Sequence, residues 1–159
     1  MSGSDEISAP LQIEEVHQMN DPNKAELLNK GLERAAEKIG DVTPLAMRKF
    51  FDRFPESEAA FDLHWSGSRR ELEGQMVENA LYCLMTWLDD PQDIVCLLTD
   101  SIPHHKLTLK VKPSWYAGLI DATAEAIVET IPKGCADEFP VWRALRDDLS
   151  KLVADCEQF

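Results

Sequence analysis

A chain of 159 residues is the size of a single domain that buries one core without help from a metal or a disulfide. Acidic residues outnumber basic ones 29 to 16, and the formal charge of −13 opposes binding to nucleic acid and to anionic membrane surfaces. Apolar residues make up 44% and charged residues 28%, a composition typical of a folded globular domain. A two-domain enzyme is therefore disfavoured.

The N-terminal segment predicts neither a signal peptide nor regular structure. Residues 1–20 mix Ser, Gly, Pro and acidic residues without a sustained period, so we expect a flexible acidic arm before a domain at 21–159. No stretch approaches the roughly 18–20 apolar residues of a membrane span, and the basic start of a signal peptide is missing. The cysteines form no C-x-x-C pair and are expected to be reduced. These features predict a cytoplasmic protein.

Two proline-capped helices are predicted in the first third of the chain. Asp21-Pro22 gives a cap followed by proline, and the apolar residues behind it recur at spacings of 4, 3 and 4 until Gly40. Thr43-Pro44 repeats this signal before an aromatic stripe that stops at Pro55, comprising Met47, Phe50, Phe51 and Phe54. Residues 55–67 have irregular apolar spacing and predict a connection that covers part of the core.

Longer helices are predicted in the remainder of the chain. Ser68 and Glu71 have capping-box spacing before a helix with a wide apolar arc, which belongs at the centre of a fold. The next helix starts at Asp90-Pro91 and is expected to end at Pro103, which places His104 and His105 at a helix end. Residues 107–111 predict an extended connection, and two further long helices follow Pro113 and include Trp142. The pattern predicts an all-α fold with six to seven helices.

A few polar residues could bind a ligand within this apolar framework. His104 and His105 are adjacent imidazoles, which commonly bind transition metals and haem iron, although a histidine pair alone is more typical of a solvated turn. Gln75 and Asn79 are four residues apart on one side of the central helix, where amides could donate hydrogen bonds to a bound molecule. The sequence contains no phosphate-binding glycine loop and no recognisable hydrolase arrangement.

Two segments carry a resemblance to a known family. AEKIGDVTPLAMRKFFDRFPESEAAF resembles the opening of a globin. HHKLTLKVKPSWYAGL is similar to the part of flavohaemoglobins and globin-coupled sensors in which the iron-binding histidine precedes a valine or isoleucine, a proline and a tyrosine. Here those three residues are Val111, Pro113 and Tyr116. The resemblance covers about residues 24 to 156 and implies a globin-like fold.

The resemblance implies a pocket for haem b. His105 corresponds to the proximal ligand of the iron, with His104 as its substitute, and Tyr116, the tyrosine that opens the next long helix, counts among the cofactor-binding residues that the resemblance implies. Counting back from Pro113 and Tyr116 by the usual spacing instead reaches Lys106, so His104, His105 and Lys106 remain alternatives at the proximal position.

On the opposite side of the implied haem, the resemblance assigns aromatic and polar residues. Phe61 corresponds to the ring that packs on the porphyrin, and Phe51 to a distal aromatic residue. Gln75 corresponds to the distal polar residue. Trp65 competes with Phe61, and Glu73 competes with Gln75, because the spacing between these segments departs from the family pattern.

The implied function is binding of a diatomic gas, O₂ or NO, for sensing, storage or scavenging. The alternative is a haem-free globin-like module for regulation or protein interaction, which Pro103 and the displaced histidine favour. NO dioxygenase activity would need a separate reductase, because the chain is too short for flavin and nicotinamide domains. Sensor globins pair through their last two long helices, which implies a homodimer interface that includes some of Trp115, Trp142 and Leu149.

Overall fold

The computed structural model describes residues 22–64, 67–108 and 111–156, and within these ranges it contains helices and no strands. The all-α prediction is therefore confirmed for the described part of the chain, while the predicted arm at 1–20 and Trp65 lie outside it. The α-helices are α1 (Pro22–Ile39), α2 (Thr43–Arg53), α3 (Pro55–His64), α4 (Arg69–Thr86), α5 (Pro91–Thr108), α6 (Pro113–Val128) and α7 (Glu138–Cys156). A short 3₁₀ turn, Lys133–Cys135, precedes α7.

Local signals set several helix ends. Gly40 follows α1 with a φ of 75°, a left-handed conformation that favours glycine. The Ser68 hydroxyl accepts a hydrogen bond from the Glu71 backbone N–H and caps α4, as the sequence predicts. The predicted cap of α2 is shifted, because Thr43 is the first helical residue and its N–H donates to the Asp41 carboxylate at 3.0 Å.

Two predicted boundaries are wrong. The segment expected to be an irregular connection contains α3, in which the Ser57 hydroxyl donates to the Phe54 carbonyl at 2.7 Å across the entry to the helix. Pro103 does not end α5, which continues to Thr108 and so includes the first two residues of the predicted extended connection. An interior proline removes one backbone hydrogen bond, but the burial of Ile102 and the inward packing of His105 favour continuation of the helix on both sides of it.

The helix α6 lies at the centre of the fold and packs against α2, α4 and α7. A Cβ atom at Gly118 would lie 2.3 Å from Cε2 of Phe54, so glycine at this position lets α2 and α6 approach closely. The largest fully buried side chains are Trp142, Phe50, Leu84, Ile94, Ile102, Ile127, Leu145 and Leu149. This core spans most of the helices and leaves a cavity beside α6.

Two further observations bear on the expected partners. None of the helices in the described ranges is long and apolar enough to cross a membrane. Trp115, Trp142 and Leu149, the residues considered for a homodimer interface, are all buried within the chain. The interface prediction therefore lacks the outward-facing side chains that it named, and the homodimer itself stays a prediction.

Candidate ligand-binding cavity

A cavity of about 310 Å³ lies between α4, α5 and α6, and the fully buried Phe50 of α2 is one of its lining residues. Its volume falls at the low end of the roughly 300–1,000 Å³ of small-molecule sites. Gln75, Asn79 and Leu97 are exposed and mark the side where the cavity reaches solvent. The remaining lining residues are Ala60, Phe61, Leu72, Met76, Ala80, Cys83, Leu98, Ser101, His105, Val111, Trp115, Tyr116, Leu119 and Ile120. Most of the wall is apolar, so the few polar groups in it are the informative ones.

His105 is held in a fixed orientation at this wall. Its Nδ1 lies 2.8 Å from the backbone carbonyl of Ser101, one helical turn earlier, and 3.3 Å from the Ser101 hydroxyl. A carbonyl oxygen only accepts hydrogen bonds, so Nδ1 carries the proton and donates it. In the neutral ring, Nε2 then keeps its lone pair, which is the state of a histidine that binds a metal ion.

Tyr116 extends this arrangement from α5 to α6. Its hydroxyl lies 2.9 Å from the Ser101 hydroxyl, and its ring packs edge-on against the His105 ring with centroids 5.4 Å apart. Burial raises the pKa of Tyr116 above its usual value, while the hydrogen bond with Ser101 acts in the opposite direction. The tyrosine therefore keeps its proton at neutral pH and can share it with Ser101.

The α4 wall carries polar groups of a different kind. The amides of Gln75 and Asn79 have no side-chain hydrogen bond among the residues that the structure describes. Cys83 also lines this wall, and burial raises the pKa of its thiol to about 11. A thiol in this state is neutral near pH 7 and is a poor metal ligand. Among the polar lining groups, the imidazole of His105 is thus the one prepared to bind a metal.

A row of three aromatic rings includes two that line the cavity, Phe61 and Trp115, and a cation lies over the ring at each end of the row. Phe51 contacts Phe61 with centroids 5.9 Å apart, and Phe61 contacts Trp115 at 6.4 Å. The Arg69 guanidinium lies 5.1 Å from the centroid of Phe51, and Nζ of Lys112 lies 5.6 Å from a ring centroid of Trp115. Both distances are within the range of cation–π contacts.

The structure brings several of the predicted site residues to this one cavity, namely His105, Phe61, Gln75 and Tyr116. The neighbouring ring of Phe50, rather than Phe51, lines the cavity, because Phe50 is fully buried and Phe51 lies half-buried beside it. His104 and Lys106 are exposed and are not lining residues, so the predicted alternatives at this position point away from the cavity. Glu73 accepts a hydrogen bond from Arg69 instead of lining the wall.

Sequence reasoning missed the contributions of Ser101 and Lys112. Ser101 precedes His105 by four residues, a spacing that places two side chains on one helical face. A helix that continues through Pro103 would have predicted this contact, whereas a helix that ends at Pro103 does not. Lys112 precedes Pro113 and has no motif around it. It is the N-cap residue of α6 and precedes Trp115 by three residues, so the predicted helix start at Pro113 was the available signal.

A second cleft of about 440 Å³ lies on the other side of α6, between α2 and α7. Its charged residues are already paired, since Asp121 accepts hydrogen bonds from Arg53 at 2.8 Å and from Arg146 at 2.6 Å. Burial alone would raise the pKa of Asp121, but the two arginines outweigh it and hold the pKa below its usual value. The charged groups of this cleft therefore pair with one another across the packed helices and are not arranged to bind a ligand.

Within the described residues, no group of three or more His, Cys, Asp and Glu side chains is arranged to hold a metal ion. Comparison with models of known protein families, with curated proteins and with solved structures finds no match.

Proposed function

We propose that this protein is a globin-type haem protein that binds haem b in the cavity and takes a diatomic gas, O₂ or NO. The observation that carries this proposal is the hydrogen bond of 2.8 Å from Nδ1 of His105 to the Ser101 carbonyl, at the wall of an apolar cavity. This bond leaves Nε2 of His105 available as the single protein ligand of the iron. When bound, the haem iron would supply the coordination position for the gas.

The residues around His105 fit this role. The Ser101 carbonyl sets the tautomer of the imidazole, and the Ser101 hydroxyl and the Tyr116 ring hold its orientation. Such outer contacts increase the basicity of a metal-binding histidine. Phe61 and Trp115 contribute flat apolar surfaces that exclude water and can pack against a planar ring system. Both features support a planar metal-containing ligand over a flexible polar one.

The opposite wall fits the selection of a gas. Gln75 and Asn79 offer amide groups without a side-chain partner in the described ranges, and an amide N–H can donate a hydrogen bond to a polar bound gas. Their exposure also places them where a small molecule enters the cavity. This side therefore decides which ligand is preferred, while His105 holds the cofactor.

A hemin titration of the purified protein tests this proposal. We expect a saturable Soret band near one hemin per chain, which His105→Ala weakens strongly. His104→Ala is the matched control, because His104 is adjacent but exposed, and this variant should bind as the wild type does. A wild-type protein without a saturable Soret band would overturn the haem proposal.

The small cavity favours a second candidate function, a haem-free module for regulation or protein interaction. At about 310 Å³ the cavity lies at the lower bound of ligand sites, and such a space can also be filled by local repacking of side chains. The same titration separates the two candidates. The haem-free module predicts no saturable hemin binding, and unfolding temperatures that hemin leaves unchanged.

A further inference from the structure

Two exposed helix sides lie next to each other on α4 and α5 and form one surface, the α4–α5 face. On each helix three exposed residues follow one another at spacings of 4 and 3, which places their side chains on one side of the helix. They are Glu78, Tyr82 and Met85 on α4, and Asp93, Leu97 and Asp100 on α5. The Tyr82 hydroxyl donates a hydrogen bond to the Asp93 carboxylate and so joins the two helices at this surface.

The α4–α5 face carries much of the exposed apolar surface. Tyr82, Met85 and Leu97 are 45%, 53% and 39% exposed. The other large apolar side chains that are exposed in the described ranges, Leu63 and Phe139, lie singly on α3 and α7. Grouped apolar side chains at a surface mark interaction sites, whereas single ones are ordinary. Methionine and tyrosine also suit a contact with another protein, because one is flexible and the other combines an apolar ring with a polar tip.

The charges at and around this face have one sign. Residues 71–105 contain no Lys or Arg, and their acidic members are Glu71, Glu73, Glu78, Asp89, Asp90, Asp93 and Asp100. Glu73 pairs with Arg69, and among the described residues none of the others has an ion-pair partner.

This charge restricts what can cover the α4–α5 face. Nucleic acid and anionic lipid are repelled. A two-fold contact with a second copy would set the same carboxylates against one another. Residues 1–20 of the chain are unsuitable for the same reason, since their charged side chains are all acidic. The complementary occupant is therefore apolar on one side and cationic around it.

We propose that the α4–α5 face binds a cationic amphipathic helix of a partner protein. The apolar side of that helix contacts Tyr82, Met85 and Leu97, and its lysines or arginines pair with the surrounding carboxylates. The exposed side of α4 from Gln75 to Met85 is about 15 Å long, which matches a partner helix of about ten residues. Leu97 also lines the cavity, so the docked helix lies at its entrance. Docking here does not depend on haem, since it uses the outer sides of α4 and α5.

Two fluorescently labelled peptides of about 14 residues are suitable probes of this docking. One has leucines on one side of the helix and lysines on the other, and the second has glutamates in place of the lysines. Fluorescence anisotropy with the full chain measures their dissociation constants. We expect saturable binding of one lysine peptide per chain and no binding of the glutamate peptide. Met85→Ser should weaken binding of the lysine peptide about fivefold, and Glu78→Gln about two- to threefold, the scale of an exposed ion pair.

Leu63→Ser and Glu37→Gln are the matched controls, because both residues are exposed and lie on other helices, α3 and α1. Neither variant should change the dissociation constant. Equal effects of Met85→Ser and Leu63→Ser, equal effects of Glu78→Gln and Glu37→Gln, or equal binding of the two peptides would overturn the proposal. Failure of the wild type to bind the lysine peptide would also overturn it, and is the result expected if a second copy or residues 1–20 covered the face.

Discussion

The two polar walls of the cavity hold their side chains in different ways. On the α5–α6 wall, His105, Ser101 and Tyr116 are linked by contacts of 2.8 to 3.3 Å. On the α4 wall, the amides of Gln75 and Asn79 have no side-chain hydrogen bond within the described ranges and are exposed. The first wall is organised before any ligand binds, whereas the second can adapt to one. A group that must be held rigidly therefore belongs at α5 and α6, and a small variable ligand belongs near α4.

The largest expected effect comes from adding one methyl group to α6 on its face away from the cavity, compared with one methyl group added to α4. Gly118→Ala on α6 places Cβ 2.3 Å from Phe54, so we expect it to lower the free energy of unfolding by about 1–3 kcal/mol. Gly74→Ala on α4 is the control. Its Cβ would meet nothing within 4 Å, and the higher helix propensity of alanine should stabilise the protein by up to about 1 kcal/mol. Urea unfolding of both variants measures the contrast, and equal effects would contradict the close approach of α2 and α6 at Gly118.

Removal of the Ser101 hydroxyl tests the rigid wall directly. Ser101→Ala keeps the backbone carbonyl that accepts from His105 but removes the link to Tyr116, and we expect it to weaken hemin binding by about tenfold. Gln75→Leu on the adaptable wall should change hemin affinity less than twofold. Parallel hemin titrations give both values, and a larger effect of Gln75→Leu would reverse the roles assigned to the walls.

The contribution of Tyr116 to stability is expected to be smaller. Tyr116→Phe keeps the ring that packs on His105 and removes the hydrogen bond of 2.9 Å to Ser101, so the free energy of unfolding should fall by about 1 kcal/mol. Tyr82→Phe removes the hydroxyl of an exposed tyrosine, whose hydrogen bond to Asp93 lies at the surface, and serves as the control, with little expected change. Chemical denaturation measures the free energy of unfolding of both variants. A larger loss in Tyr82→Phe than in Tyr116→Phe would contradict this assignment.

The smallest expected effect lies on the outer side of α6 and depends on pH. Arg146 and Arg53 hold the pKa of Asp121 below its usual value despite burial, so the carboxylate stabilises the fold above about pH 4, near the unfolded-state pKa. This contribution, below about 1 kcal/mol for a partly exposed group, is lost as the pH falls through the lower folded-state pKa. The difference in unfolding free energy between wild type and Asp121→Asn should therefore shrink in acid. A difference that grew below pH 4 would contradict the assignment.

Helical periodicity predicted much of the architecture, and it failed where tertiary packing outweighs local preferences. The cap at Ser68 and the end of α1 at Gly40 follow from side-chain and backbone preferences that act within one turn. The continuation of α5 past Pro103 could not be predicted this way, because it depends on the burial of neighbours such as Ile102. Tertiary packing there outweighs the local cost of proline.

The candidate site could be predicted in part for the same reason. His105, Phe61, Gln75 and Tyr116 were found through the resemblance to globins, and they share one cavity. The choice of Phe50 over Phe51 depends on the rotation of α2 against α6, and the single-sequence pattern makes both phenylalanines apolar members of one stripe. Side-chain partners across helices, such as Ser101 on α5 and Tyr116 on α6, depend on how the helices pack and do not follow from the spacing of residues along one helix.

The most direct test of the central claim is imidazole rescue of His105→Gly. If Nε2 of His105 holds the iron, this variant loses the Soret band of the hemin complex, and added imidazole restores it by filling the vacated space next to Ser101 and Tyr116. A matched His104→Gly variant should keep the band without imidazole. A band that survives unchanged in His105→Gly, or one that imidazole fails to restore in a folded variant, would contradict the assignment of His105 as the iron ligand.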